Sequence, residues 1–203
     1  MEHNTIPSDE IIQKTIASLK NNGIEAMVVE NGEAAKAKAL ELIPAQAEVM
    51  NMTSITLETI GIPKEINESG KYTSVRNQLN SMDRKTQGGE MQKLGAAPVY
   101  AIGSVHAITE KGQVVIASNT GSQLPAYAYG AAKVIWVVGT QKIVKDLDAA
   151  FKRIYEYVLP LESERARKAY GVEGSNVSKL LIVNKEIAPG RIVIIFAKET
   201  LGF

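Results

Sequence analysis

Residues 103–122 read GSVHAITEKGQVVIASNTGS, and this stretch carries the pattern that decides the fold. A polar turn that begins with glycine and contains His106 precedes an apolar run at 114–117, which predicts a buried strand. The run ends in the hydroxyl-rich turn 118–122, directly before a helix-like segment. α/β enzymes gather ligands beyond such strand ends, although Gly, Ser, Asn and Thr also fill ordinary connecting turns. The local sequence leaves both interpretations open.

The segments on either side repeat an order of strand and then helix, which predicts an α/β domain. The last two strands are separated by a short loop with Pro189-Gly190, which predicts a hairpin. The polar residues 63–95 predict one helix around Val75, with Gly88-Gly89 as a break, and Pro160 is expected to end a helix. The predicted strands are 24–29, 48–52, 98–102, 114–117, 133–138, 179–183 and 191–197. The predicted helices are 8–22, 33–42, a helix of about two turns capped by Thr53 or Ser54 and ending at Gly61, 124–131, 146–159 and 161–170.

These elements predict one domain over residues 1–203 with a three-layer α/β/α, Rossmann-like architecture. Its sheet is expected to be mixed but mostly parallel, with a helical N-terminal extension over 1–46. The chain has a net charge of +1, and no segment concentrates Lys or Arg on one face. Nucleic acids and membranes are therefore not expected as partners. The polar N-terminus lacks the apolar core of a signal peptide, which favours a cytoplasmic location.

The chain has no cysteine and only two histidines, His3 and His106. Disulfides, thiolate zinc sites and an iron–sulfur cluster in this chain are therefore excluded. A site built from several histidines is not expected either, so no resident metal or cofactor is evident, although oxygen ligands could still hold Mg²⁺.

Three turns are predicted to meet at one edge of the sheet, because each follows a strand: 53–56, 118–122 and 139–142. Backbone N–H groups in the first two turns would bind an anion there, helped by hydroxyls and a lysine. The alternative is that Thr53 or Ser54 is only a helix cap. The candidate ligand-binding residues are Thr53, Ser54, Thr56, Thr109, Ser118, Thr120, Gly121, Ser122, Gln123 and Lys142.

Glu110 and His106 are the candidate catalytic residues. A carboxylate can act as a nucleophile or general base, and an imidazole titrates near neutral pH. A helical turn would bring the two side chains together, whereas an extended chain would hold them on one face but too far apart to touch. The alternative is that Glu110 forms a local salt bridge and His106 fills space.

Several longer segments resemble the LUD (lactate-utilisation) domain family. They are MTSITLETIG (52–61), GSVHAITEKG (103–112), ASNTGSQLP (117–125), VGTQKIV (138–144), LESER (161–165) and ETLGF (199–203). The resemblance implies the fold of ribose-5-phosphate isomerase, glucosamine-6-phosphate deaminase and the CoA transferases. It also implies a link to bacterial oxidation of L-lactate to pyruvate beside iron–sulfur subunits. Glu110-Lys111-Gly112 is similar to the element that carries the nucleophilic glutamate of CoA transferases.

The first hypothesis is therefore a component of 2-hydroxy-acid utilisation that binds a small carboxylate or phosphate-bearing ligand. The alternatives are a stand-alone enzyme, similar to an acyl-CoA transferase or a sugar-phosphate isomerase, and an assembly subunit without chemistry of its own. Iron–sulfur subunits of lactate oxidation are the expected protein partners, and homo-oligomerisation is left open.

Overall fold

The computed structural model describes residues 3–203, and its centre is a six-stranded parallel sheet. The strand order is β1-β10-β7-β4-β2-β3, and every neighbouring pair is parallel. These strands are β1 (Glu25–Val29), β2 (Glu48–Asn51), β3 (Thr73–Ser74), β4 (Tyr100–Gly103), β7 (Lys133–Gly139) and β10 (Ile192–Ala197).

Helices cover both faces of this sheet, as the alternation of side chains along its central strands requires. In β10, Ile192, Ile194 and Phe196 enter one hydrophobic core, whereas the residues between them enter the other. The first core also receives α1 (Asp9–Asn21), and the second receives α2 (Gly32–Glu41). The predicted Rossmann-like α/β/α architecture is confirmed. The remaining helices are α3 (Ile55–Thr59), α4 (Ile62–Glu68), α5 (Val75–Ser81), α6 (Arg84–Ala96), α7 (Leu147–Arg153) and α8 (Leu159–Tyr170).

A second, smaller sheet packs against the first core and contains the antiparallel pairs. Its strand order is β8-β5-β6-β9, and β6 is antiparallel to both of its neighbours. The other face of this sheet carries Ala107, Val115 and Ala117, which cluster with Ala150 and Ile154. The strands are β5 (Ala107–Thr109), β6 (Val114–Ser118), β8 (Ile143–Val144) and β9 (Lys179–Val183).

The predicted C-terminal hairpin is wrong, because β9 and β10 belong to different sheets. β10 is buried at all six positions and lies between two parallel strands, whereas β9 is a partly exposed edge strand. The burial of β10 on both faces suits a central parallel strand better than one arm of a hairpin. The turn predicted around His106 is likewise partly wrong, since residues 107–109 form β5.

Two predicted helix interruptions are also wrong. The chain passes through Pro160 because a π-helical turn, Ile154–Val158, separates α7 from α8 and places the proline in the first turn of α8. A proline there lacks only an N–H that has no partner within the helix. Gly88 and Gly89 lie inside α6, which is kinked at Gln87 rather than ended.

Candidate functional site

The candidate site lies at the carboxyl edge of the central sheet, where the segments after three parallel strands meet. The 3₁₀ turn Thr140–Lys142 follows β7, Ser104 follows β4, and α3 follows β2. Ser54 caps α3 by accepting a hydrogen bond from the Leu57 N–H at 3.4 Å. Because all these strands are parallel, the turns lie on one edge, which is where α/β proteins place ligands.

Lys142 is a buried lysine that has no acidic partner among residues 3–203. The residue is only 2% exposed. Its Nζ donates hydrogen bonds to Thr56 Oγ1 at 2.9 Å and to Ser104 Oγ at 3.3 Å. Burial, followed by the charge of Arg153, lowers the pKa of the Lys142 amino group to about 7. A large fraction of this amine is therefore neutral near pH 7.

Arg153, the last residue of α7, is 0% exposed. Within residues 3–203, none of its three guanidinium nitrogens has a hydrogen-bond partner. Its contact is instead a cation–π interaction, with Cζ 5.2 Å from the centroid of the Tyr157 ring. Burial lowers the pKa of Arg153 to about 10. A buried guanidinium without acceptors is unusual, because leaving its donors unpaired costs several kcal/mol in typical proteins.

His106 is the third basic side chain considered with Lys142 and Arg153, and the residue is only partly buried. Its Nδ1 accepts a hydrogen bond from the Ala117 N–H at 3.1 Å, which leaves the proton of the neutral ring on Nε2. Desolvation, together with the charges of Lys142 and Arg153, lowers the pKa of His106 to about 3. The ring is therefore neutral at physiological pH and can donate a hydrogen bond from Nε2.

We call Lys142, Arg153 and His106, with the hydroxyls of Thr56 and Ser104, the basic cluster. In the part of the chain that the structure describes, residues 3–203, no carboxylate lies within salt-bridge distance of Lys142 or Arg153. Besides burial, the charge of Arg153 contributes to the lowered pKa of both Lys142 and His106, and the charge of Lys142 contributes to that of His106, so the three groups share one electrostatic environment. The amine of Lys142 and the guanidinium of Arg153 are both hydrogen-bond donors of the kind that suit an anion.

The segment 199–203 lies against this site. The Leu201 carbonyl accepts hydrogen bonds from Thr56 Oγ1 at 3.1 Å and from Gln141 Nε2 at 3.0 Å. Gly202 lies so close to Thr56 that a Cβ at that position would be 2.5 Å from Oγ1. The same hydroxyl therefore receives a hydrogen bond from Lys142 and gives one to the 199–203 segment.

Of the residues predicted from the sequence, the structure brings Thr56 and Lys142 into direct contact and places Thr53 and Ser54 in the same turn as Thr56. Ser118 and its neighbours end a strand of the second sheet, so they do not share the parallel edge. Ser118 Oγ accepts from the Gly121 N–H at 2.8 Å and donates to Gln123 Oε1 at 3.0 Å. Thr120 and Ser122 bond to each other at 3.1 Å, so the hydrogen bonds of this turn are largely local.

Glu110 and His106 lie at opposite ends of β5, so the extended alternative holds and they form no pair. Glu110 instead forms a salt bridge with Lys14 at 2.8 Å. Thr109 is buried and its hydroxyl accepts a hydrogen bond from the Gln113 N–H at 3.1 Å, closing the turn to β6. These contacts assign local structural roles to Glu110 and Thr109.

Sequence reasoning missed Arg153, Ser104 and the 199–203 segment. Arg153 lies three residues after Ala150 on the buried stripe of α7, and a cation on an apolar stripe was the available signal. Ser104 follows β4 directly, so its position at a parallel strand end could have identified it. The 199–203 segment follows β10, which is a central strand of the parallel sheet. Because β10 was predicted to be one arm of a hairpin, the position of this segment was not predicted.

The model of the LUD domain matches residues 12–197. The chain belongs to the LUD domain family. A crystal structure of a DUF162 family protein from Deinococcus radiodurans has a similar fold, with a TM-score of 0.57 at 12% sequence identity. The match covers 94% of this chain and 99% of that protein. A search of curated proteins finds no match.

Membership makes this a lactate-utilisation-type protein at the level of the family. Over residues 3–203 of this LUD-domain chain, no helix has the length and hydrophobicity needed to span a bilayer. The same residues contain no group of three or more His, Asp or Glu side chains placed to hold a metal ion.

Proposed function

We propose that this LUD-domain protein binds a small 2-hydroxy or 2-oxo carboxylate, of the lactate and pyruvate class, at the basic cluster. The observation that carries the proposal is the buried guanidinium of Arg153, whose three nitrogens have no hydrogen-bond partner within residues 3–203. Guanidinium groups match carboxylates in geometry and bind them through two parallel hydrogen bonds. An anion at this position would supply the acceptors that the protein does not.

The surroundings of Arg153 support a carboxylate with a second polar group beside it. The Lys142 amine, two hydroxyls and the neutral imidazole of His106 provide donors for a hydroxyl or carbonyl oxygen. Family membership supports the same chemical class, since lactate and pyruvate are small 2-substituted carboxylates. Glu110 gives no support to acyl transfer at this site, because its carboxylate is engaged by Lys14 at the far end of β5.

The test is a thermal-shift and calorimetric titration of the whole chain with L-lactate, pyruvate, acetate and inorganic phosphate. A ligand at 100 times its dissociation constant stabilises the folded state by about 2.7 kcal/mol. We expect L-lactate or pyruvate to raise the melting temperature more than acetate does, and phosphate to have the smallest effect. Arg153→Met should abolish these shifts.

The matched control is Arg165→Met, which removes an arginine that is already paired with Glu162 at 2.7 Å on α8. This variant should bind the carboxylates as the parent does. Equal shifts in the parent and in Arg153→Met would overturn the proposal, and a response to phosphate alone would reassign the site to phosphate-bearing ligands.

A further inference from the structure

We propose that Lys142 is a nucleophile that forms a covalent imine with the carbonyl carbon of a 2-oxo carboxylate held by Arg153. The geometry that points to this is a buried primary amine whose side-chain hydrogen bonds within residues 3–203 go to two hydroxyls, together with a buried guanidinium whose three nitrogens have no hydrogen-bond partner there. The inference rests on the proposed function, because it uses the same carboxylate site, and it narrows the substrate class to 2-oxo acids.

The surroundings of Lys142 differ from those of the other lysines that make side-chain contacts. Lys14, Lys71 and Lys168 are exposed and each donates to a glutamate at 2.6–2.9 Å. A carboxylate partner favours the charged ammonium, which has no lone pair and cannot attack a carbonyl. Within residues 3–203 the side-chain partners of Lys142 are hydroxyls, so its neutral form is available, and its lowered pKa of about 7 agrees with this.

Arg153 provides the means of holding an electrophile near that amine. A 2-oxo acid carries its ketone on the carbon next to the carboxylate, so fixing the carboxylate on a guanidinium fixes the carbonyl one bond away. After burial, the charge of Arg153 contributes to the lowered pKa of Lys142, which agrees with the two groups sharing one electrostatic environment. A 2-hydroxy acid binds through the same carboxylate but offers no electrophilic carbon, so the covalent step distinguishes the two ligand types.

The reaction balances without an oxidant or a reductant. Attack by the Nζ lone pair forms the C–N bond while the π electrons of the carbonyl move to its oxygen. Both protons of the amine then pass to that oxygen, which leaves as one water molecule, and a C=N bond remains. The hydroxyls of Thr56 and Ser104, which now accept from Nζ, lie where they can relay these protons.

The test is reduction with sodium borohydride in the presence of pyruvate, followed by mass spectrometry of the intact chain and its peptides. We expect one 1-carboxyethyl group, located on Lys142, and loss of tryptic cleavage after that residue. Trapping should increase as the pH rises towards and past about 7, because the neutral amine is the reactive form. L-Lactate with borohydride should give no adduct.

Variants separate a site-specific reaction from general lysine chemistry. Lys142→Met should lose the adduct, whereas Lys145→Met, which changes an exposed lysine three positions away, should keep it. Arg153→Met should reduce the yield by about tenfold or more, since a hydrogen-bonded charge contributes that much to binding. Adducts spread over several exposed lysines, with none favoured at position 142, would overturn the inference.

The two proposals fail in different ways. If pyruvate raises the melting temperature but borohydride leaves Lys142 unmodified, the imine is overturned and the carboxylate site stands. If pyruvate neither stabilises the chain nor modifies Lys142, both proposals are overturned. Because the trapping result is read on the parent chain, it holds even where a variant folds poorly.

Discussion

The amino group of Lys142 lies 2.9 Å from Thr56 Oγ1, although the two residues are 86 positions apart in the chain. This hydrogen bond joins the turn after β7 to the helix after β2, across the carboxyl edge of the central sheet. Its acceptor is a hydroxyl and not a carboxylate, so this contact positions Lys142 rather than pairing its charge. The consequences of burying such cations can be measured.

Lys142 should make the stability of the protein rise with pH in the alkaline range. Its pKa is 10.5 when unperturbed and about 7 in the folded chain, so between these values the unfolded state binds the additional proton. Stability therefore increases with pH across that window. Lys142→Met removes this slope, and its advantage over the parent should be largest below about pH 7 and shrink towards pH 10.5 in urea unfolding. Lys145→Met should keep the parental slope; an unchanged slope in Lys142→Met would contradict the prediction.

His106 should contribute to acid destabilisation. Its pKa of about 3 in the folded chain lies below the unperturbed value of 6.5, so between these values the unfolded state takes up the proton. Stability should therefore fall as the pH drops below about 6.5, by at most about 1.4 kcal/mol per pH unit from this group. His106→Asn keeps an acceptor for the Ala117 N–H but does not titrate, so its acid unfolding midpoint should be lower. Superimposable acid transitions would show that His106 plays no such part.

Arg153 and Arg165 should respond to methionine with opposite signs. Arg153→Met removes a buried charge that has no hydrogen-bond partner within residues 3–203 and keeps most of the apolar stem, so we expect the free energy of unfolding to rise by about 1–3 kcal/mol. Arg165→Met breaks a partly exposed pair with Glu162 and should lose less than about 1 kcal/mol. Chemical denaturation without ligand measures both. A loss of stability in Arg153→Met as large as that of a cavity mutation would mean that the guanidinium has partners in solution.

Gly202 and Gly171 form a matched pair for testing the 199–203 segment. Both have positive φ values, 61° and 67°, so alanine costs each about 1–2 kcal/mol of backbone strain. At Gly171 nothing lies within 4 Å of the added Cβ, whereas at Gly202 the Cβ would lie 2.5 Å from Thr56 Oγ1 and 2.8 Å from its backbone nitrogen. Gly202→Ala should therefore be the more destabilising change in thermal unfolding. Equal losses would show that the segment does not pack on Thr56.

The parallel core was predictable because its signal is local. The run KVIWVV at 133–138 is apolar throughout, which identifies a strand buried on both faces, and it forms the centre of the sheet as β7. Ser8 and Asp146 cap α1 and α7 as their residue types predict. The position of Thr56 and Lys142 at the carboxyl edge was predictable in the same way, since each follows a strand of the parallel sheet.

The features that were not predicted from the sequence depend on contacts between distant segments. Two apolar strands with a Pro-Gly loop fit a hairpin, but β10 obtains more burial between β1 and β7 than beside β9. The turn after β6 has the composition of a ligand loop, yet sheet membership moved it away from the parallel edge. Arg153 resembled one more charged residue of an amphipathic helix, and only the fold showed that its guanidinium is buried and has no acceptor among residues 3–203. Sequence patterns report the preferences of a segment, whereas these outcomes were set by its neighbours.

The Leu201 carbonyl accepts hydrogen bonds from both Thr56 and Gln141, and this affects how fast a ligand can reach Lys142. Lys142 and Thr56 are 2% and 1% exposed, so a molecule reaches the amine only after the packing around them, including residues 199–203, has loosened. Capture then follows an opening step that does not depend on ligand concentration. In stopped-flow mixing the observed rate should level off as pyruvate concentration increases, at the opening frequency of the protein itself. Opening of residues 199–203 would thus limit the rate of binding, and Gly202→Ala, which loosens this segment, would raise the plateau rate.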